Sequence, residues 1–178
     1  LQPGTGPLFG GVTVAMSSWA CETGGWTTNC VTTPDAKFDH PVTIRLLDTN
    51  GNVLAAKTQT FSMPYRPSSD LACGTRWMAS DGKCYNAYAF KLDFDLSDLE
   101  VTLPDTVVYE VAYNTQHYGA APTRVSGPYD SLNVALYDTT SVSLSAGSDA
   151  TAGFIRWNGA PAADTYSPMV QIMVTAAP

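Results

Sequence analysis

Cys21 and Cys30 bracket one short loop of this 178-residue chain, and Cys73 and Cys84 bracket another. Neither pair has the C-x-x-C spacing of a zinc or redox site, and only His40 and His117 stand by as further ligands. The spacings therefore predict two local disulfides, Cys21–Cys30 and Cys73–Cys84. Disulfides persist in oxidising compartments, so the chain is expected to be secreted and to work outside the cell.

Nucleophilic catalysis has little to build on. No G-x-S-x-G elbow and no H-E-x-x-H motif occurs, and the two histidines lie far apart. His40 precedes Pro41 at a strand entry and reads as a surface or capping histidine. His117 lies in the polar loop Asn114-Thr-Gln-His-Tyr-Gly119. Glycoside hydrolysis would need two carboxylates about 5–10 Å apart across a cleft. The glutamates are Glu22, Glu100 and Glu110. Glu110 shares a strand face with Val108 and Ala112, and Asp93 and Asp95 share another. These read as a rim glutamate and a solvated strand face rather than as a catalytic pair. Asp48, Asn50 and Asn52 have the spacing of calcium ligands, yet the distal glutamate of an EF-hand loop is missing and a hairpin accounts for the same residues. Asp93, Asp95 and Asp98 form a second oxygen cluster of the same weight. No cofactor is expected, and a structural calcium is the one group the pattern leaves open.

Binding has more to work with. Trp26 sits inside the first cysteine loop beside Gly24 and Gly25, and Trp77 inside the second beside Arg76. Each is either an open platform or a cover over its own disulfide. Trp19 ends an alternating strand and is expected in the core. Tyr65-Arg66-Pro67 fits a rigid turn and a recognition edge equally well. The densest polar-aromatic set comes from two loops. Asn114, His117 and Tyr118 from one, with Tyr129, Asp130 and Asn133 from the other, would form a single rim if adjacent strands bring them together. The competing reading is a side-chain-to-backbone network that holds two long turns.

The elements that must carry these residues are strands. Val12, Val14 and Met16 alternate with polar or small residues, as do Val42, Ile44 and Leu46, and Phe90, Leu92 and Phe94. Asn50-Gly51 signals a type I′ hairpin, with a return strand from about Asn52 to Phe61 that ends at Pro64. Residues 106–113 are apolar on both faces and are expected centrally in a sheet. Leu132, Val134 and Leu136 form another strand, Phe154 to Trp157 a short one, and Val170, Ile172 and Val174 the last. Ser97 to Glu100 is the one helical candidate, a single turn. This pattern predicts an all-β, two-sheet antiparallel sandwich, jelly-roll-like, with two local disulfides. Residues 1–10 are expected to be an N-terminal tail or linker remnant, and 11–178 a single domain.

Composition narrows the partners. Charged residues make up only 14%, against roughly 25% in ordinary soluble domains, so the surface relies on hydroxyls and amides. A net charge of −7 with no basic stripe argues against nucleic acid. No apolar run approaches the roughly 18 residues of a membrane-spanning helix. An export signal is expected to have been removed or to lie outside this chain.

Several segments resemble a group of bacterial secreted β-rich proteins. They are Val12-Thr-Val-Ala-Met-Ser-Ser-Trp-Ala20, Lys57-Thr-Gln-Thr-Phe-Ser-Met-Pro-Tyr-Arg-Pro67 and Cys84-Tyr-Asn-Ala-Tyr-Ala-Phe90, with Phe94-Asp-Leu-Ser-Asp98, Val111-Ala-Tyr-Asn-Thr-Gln-His-Tyr-Gly119 and Gly127-Pro-Tyr-Asp-Ser-Leu-Asn-Val134. The likeness runs from about Gly11 to Trp157. It implies export and a β-rich domain, and it carries no catalytic assignment to transfer. Together these readings lead to an expected function. It is a secreted, non-catalytic module that binds polysaccharide or cell-surface glycan through aromatics and Asn, Asp and His side chains. The alternatives are an extracellular structural or surface-assembly protein and a carboxylate-dependent glycoside hydrolase. The oligomeric state stays open.

Overall fold

A computed structural model of the chain describes residues 8–113, 132–138, 155–157, 160–163, 166–168 and 170–175. It is all-β. In chain order the strands are β1 (Leu8–Ser18), β2 (Lys37–Leu47), β3 (Val53–Pro64), β4 (Trp77–Met78), β5 (Cys84–Tyr85), β6 (Tyr88–Asp95) and β7 (Val108–Tyr113). They continue with β8 (Leu132–Val134), β9 (Leu136–Asp138), β10 (Ile155–Trp157), β11 (Ala160–Ala163), β12 (Tyr166–Pro168) and β13 (Val170–Thr175). Single 3-10 turns at Leu71–Cys73 and Ser97–Leu99 are the helical pieces among the described residues.

One antiparallel sheet is built around β1. Its residues Gly11 to Ser18 pair with β6 on one side. On the other side Leu8 to Val14 pair with β13, and β8 takes over at Met16 to Ser18. The second sheet has the order β3-β2-β7, also antiparallel. The remaining pairs are short: β4 with β5, β9 with β12, and β10 with β11.

The period-two alternation read from the sequence is the burial pattern. Val12, Val14 and Met16 of β1, Leu92 and Phe94 of β6, and Val42, Ile44 and Leu46 of β2 are all buried and belong to one apolar cluster. The two sheets meet where Phe61 of β3 packs edge-on against Phe94 of β6, ring centres 4.8 Å apart. A second link is polar: the Val134 N–H of β8 donates to the Tyr113 hydroxyl of β7 at 2.7 Å. Burial pushes the Tyr113 phenol above its ordinary pKa, and the donated N–H opposes that shift.

Several expectations need correction. Leu8, Phe9 and Gly10, read as tail, belong to β1, and Phe9 is a core residue. A register shift between Phe9 and Gly11 lets Phe9 and Val12 both face inward, as a β-bulge does. His40, expected at the surface, is fully buried. The reason is that β2 begins at Lys37, so His40 shares the inward phase of Phe38 and Val42. Pro41 is accommodated because the β7 ladder starts one residue later, at Val42. Among the described residues, 106–113 lie at the edge of their sheet rather than centrally: β7 pairs with β2 alone, and Val108 and Glu110 are exposed. The segment from Leu132 to Leu136 is two strands, divided at Ala135 and paired to different partners.

The Asn50-Gly51 hairpin forms, but with a different turn. Only Gly51 has positive φ, at 86°. The Gly51 N–H donates to the Asp48 carbonyl and the Asp48 N–H to the Asn52 carbonyl, which is a three-residue loop closed by a glycine bulge. The Asp48 carboxylate accepts from the Asn52 side chain and from the Asn50 and Asn52 N–H groups, each at 2.8 Å. Those bonds, the Asn52 side chain first, hold it below the usual carboxylate range.

Gly11 gives a direct test of strand spacing. A Cβ there would lie 2.5 Å from the Phe94 carbonyl oxygen, a backbone atom that cannot step aside. Gly11→Ala is expected to destabilise by about 1–3 kcal/mol, as overpacking does. Urea unfolding of the variant, read as a shift in midpoint at constant slope, checks it.

Candidate functional site

Both cysteine pairs form the expected disulfides, with Cα atoms 5.4 Å apart in Cys21–Cys30 and 5.6 Å apart in Cys73–Cys84. Closing loops of this size removes roughly 2–3 kcal/mol of chain entropy from the unfolded state in each case. The segment after β3 ties the two loops together. Arg66 is fully buried, and its guanidinium donates to the carbonyls of Thr75 at 2.6 Å, Trp26 at 3.4 Å and Pro67 at 3.4 Å. Trp26 lies in the first loop and Thr75 in the second, so one side chain clasps both. Ser69 adds to the clasp: its hydroxyl donates to the Thr75 carbonyl and accepts from the Cys30 N–H, and its N–H donates to the Cys30 carbonyl. In Tyr65-Arg66-Pro67 the arginine thus points inward as a clasp, while Tyr65 and Pro67 are half-buried.

In the first loop, Trp26 is half-buried and stands edge-on to Trp19, ring centres 4.7 Å apart at 81°. Trp19 is half-buried too, not a core residue, because the chain leaves the sheet at Ser18 and the ring caps the loop instead. Trp26 is thus packed on one side by Trp19 and is otherwise half-buried. Gly24, at φ 77°, is required here, since a Cβ would overlap the Asn29 carbonyl.

The second loop gives its tryptophan different neighbours. The Asp70 carboxylate caps the Leu71–Cys73 turn by accepting the Ala72 N–H. The chain then forms the hairpin β4–β5, in which Trp77 stands directly across from Tyr85. Its loop repeats the design at Asp48: the Gly82 N–H donates to the Ala79 carbonyl, Gly82 has φ 76°, and the Asp81 carboxylate accepts the Lys83 N–H. The other Asp81 oxygen accepts the Tyr85 hydroxyl at 2.7 Å. That bond, with the Lys83 N–H, holds the Asp81 carboxyl below its usual range and pushes the Tyr85 phenol up.

Trp77 lies between two tyrosines, 5.8 Å from the Tyr85 ring and 5.6 Å from the Tyr88 ring. Its indole N–H donates to the Ala87 carbonyl at 3.1 Å, which fixes the ring in place. Tyr85 and Tyr88 are 40% and 37% exposed, so the cluster faces solvent. The result is a three-ring surface with one carboxylate at its edge, mounted on a disulfide-closed hairpin. Tyr85 and Tyr88 count in sequence only among the chain's many aromatics, and neither they nor Asp81 are grouped there with Trp77. The Asp81-Gly82 turn between Trp77 and Tyr85 was the signal that could have paired them.

The second predicted rim is only partly placed. Asn114, His117, Tyr118, Tyr129 and Asp130 lie outside the described residues. Asn133 lies on β8 opposite Ser17, whereas Tyr88 is opposite Ser18. Adjacent positions on β1 face opposite sides, so the sheet brings Asn133 and Tyr88 to one end but not to one face.

The carboxylates considered for chemistry have local partners. Glu110 is ion-paired with Arg45, its direct cross-strand neighbour, on an exposed face. Among the described residues, no acid occupies the register positions beside it on β2. Asp93 accepts from the Thr13 hydroxyl, Asp95 from Ser97, and Asp98 pairs with Lys57 at 3.0 Å. Among the described residues no group of three His, Cys, Asp or Glu side chains is placed to hold a metal ion. The shallow gap bordered by Phe9, Ile44, Leu46, Lys57, Leu96 and Leu99 has no room for a water molecule and is therefore no ligand pocket. No helix among the described residues is long and apolar enough to cross a membrane.

Fold and site together define a disulfide-bonded all-β protein that presents an aromatic hairpin to solvent. Comparison with protein-family models, with curated proteins and with solved structures found no match to this chain.

Proposed function

We propose that this protein is a secreted, non-catalytic binding module, and that it takes polysaccharide or cell-surface glycan on the Trp77–Tyr85–Tyr88 surface. The observation that carries this reading is a pair of exposed tyrosines flanking a half-buried tryptophan that its own N–H bond fixes in place. Sugar rings present apolar C–H faces that stack on such rings. The Asp81 carboxylate, exposed beside Tyr85, accepts hydroxyl donors. Rings already fixed by a disulfide-closed hairpin lose little freedom on binding, which favours affinity. Two disulfides support an oxidising, extracellular site of action. The likeness to bacterial secreted β-rich proteins agrees with that reading.

The test is retention on a panel of insoluble and soluble polysaccharides, with released reducing sugar assayed in the same wells. Retention without release is expected, and Trp77→Ala is expected to weaken it at least about tenfold, as loss of a central aromatic anchor does. Retention that survives Trp77→Ala would remove the hairpin from the site. Release of sugar would make the protein a hydrolase.

A second reading has one observation in its favour. Val53 and Val108, 57% and 50% exposed, both flank Leu47 across the β3-β2-β7 sheet and give it an apolar end. Such a patch suits assembly with another protein. Sedimentation of wild type against Val53→Lys, Val108→Lys tests it: self-association lost in the variant would favour assembly.

A further inference from the structure

We propose that Cys73–Cys84 is a separately reducible clamp on the aromatic hairpin, so that a dithiol reductant dismantles the Trp77–Tyr85 pair while the β-sheet core stays folded. The inference does not depend on which ligand, if any, the hairpin takes.

The two disulfides differ in access. Cys21, Cys30 and Cys73 are buried, at 0%, 1% and 5% exposure, whereas Cys84 is half-buried and borders solvent. Cys84 is therefore the more open end of the bridge, and attack by a thiolate from solution is expected there. The two sides of this bridge are also anchored unequally. On the Cys73 side, the Asp70 carbonyl accepts the Cys73 N–H, the Asp70 N–H donates to Arg76, and Arg66 and Ser69 both donate to Thr75. On the Cys84 side the chain is held by the two register pairs Trp77–Tyr85 and Met78–Cys84, by the turn bonds at Ala79 to Lys83, by the Tyr85 hydroxyl on Asp81 and by the Trp77 N–H on the Ala87 carbonyl, until β6 joins β1 at Tyr88. A hairpin that short does not hold itself together in water.

The chemistry closes. One thiolate of the dithiol attacks the Cys84 sulfur, and Cys73 leaves as a thiolate that takes up a proton. The second thiol of the reagent then displaces Cys84 from the mixed disulfide. The protein gains two electrons and two protons, and the dithiol becomes a cyclic disulfide. The Cys84 side is then held by the short hairpin and the single Trp77–Ala87 bond, and its opening takes Tyr85 from Trp77 while Tyr88 remains on β6.

Native protein in graded dithiothreitol, quenched by alkylation and mapped by peptide mass, is the first measurement. Cys73 and Cys84 are expected to be alkylated about tenfold faster than Cys21 and Cys30, since access governs exchange. Hydrogen exchange on the same samples should show residues 77–85 losing protection while residues 88–95 keep theirs. Simultaneous opening of both bridges, earlier opening of Cys21–Cys30, or protection of 77–85 that survives reduction would each overturn the proposal. The paired substitution Cys73→Ser, Cys84→Ser gives a second route. It is expected to retain strand circular dichroism and a cooperative thermal transition with only the hairpin exchanging fast, and global unfolding of this variant would count against the clamp.

Discussion

Arg66→Ala and Arg66→Lys are each expected to destabilise the protein by about 3 kcal/mol or more, even though Arg66 meets no carboxylate among the described residues. The guanidinium is fully buried and satisfied by three backbone carbonyls contributed by Trp26, Pro67 and Thr75. Burial draws its pKa down from the ordinary arginine value, yet an arginine stays protonated in a protein. The fold therefore carries a desolvated cation whose compensation is those carbonyls. Alanine leaves a cavity and strips donors from buried acceptors, and each such loss costs roughly 1–3 kcal/mol. Lysine keeps a charge but replaces a planar fork with a point, which cannot reach three carbonyls spread over two loops. Arg66→Met separates packing from hydrogen bonding, because it restores much of the volume and none of the donors. The expected order of stability is wild type, then Met, then Ala and Lys, with the last two falling roughly 6–12 °C in Tm. Thermal and urea unfolding decide it, and a loss below about 1 kcal/mol for Lys would mean that the carbonyl clasp is not what holds the loops.

Arg66 also marks where reading from sequence stopped. Periodicity reports strands well when both ends of the alternation are regular, and so Val12 to Met16, Val42 to Leu46 and Phe90 to Phe94 were legible with their inward faces. It fails where a bulge or a proline interrupts the phase. The bulge at Gly10 hid Phe9 from the pattern, and Pro41 hid the inward phase of His40. Local cysteine spacing gave both disulfides, because loops of nine and eleven residues of separation close without long-range information. Arg66 had no such local sign. Its burial depends on two loops that are separated in the chain and converge on it, and a charged residue between Tyr65 and Pro67 looks the same whether it faces water or carbonyls.

The same distinction governs the candidate site. Trp26 and Trp77 have equivalent places in sequence, each inside a cysteine loop, and both are half-buried, but the structure gives them different ring partners. Trp26 finds Trp19, the first ring beyond β1 and itself half-buried. Trp77 finds Tyr85 across a hairpin and Tyr88 at the start of β6, and both tyrosines stay exposed. What separates them is the partner ring, a relation set by strand register. In the second loop that register was within reach, since Asp81-Gly82 fixes it. In the first it depends on where β1 ends.

Phe94→Ala carries the largest expected effect, about 3–5 kcal/mol, the range for deleting a buried aromatic ring. A domain of this size has of the order of 10 kcal/mol in total, so the loss would take a third or more of its stability. Phe94 is fully buried, pairs with Val12 on β1, and packs edge-on against Phe61 of the other sheet. Its side chain therefore joins the two sheets, while its carbonyl lies under Gly11 and sets the distance between β1 and β6. Relaxation into the vacated space is limited from both sides, because β1 cannot shift toward β6 at Gly11. That puts the expected cost at the upper part of the range. Phe61→Ala should cost less, since Phe61 is only half-buried. A double-mutant cycle between the two should return a coupling of about 0.5–1.5 kcal/mol, the increment an edge-to-face aromatic pair adds beyond its buried area. Unfolding by urea for the four proteins of the cycle gives all three numbers at once. A coupling near zero would mean that the sheets are held by the aliphatic cluster around Val12, Ile44 and Leu46, with the ring pair as filling.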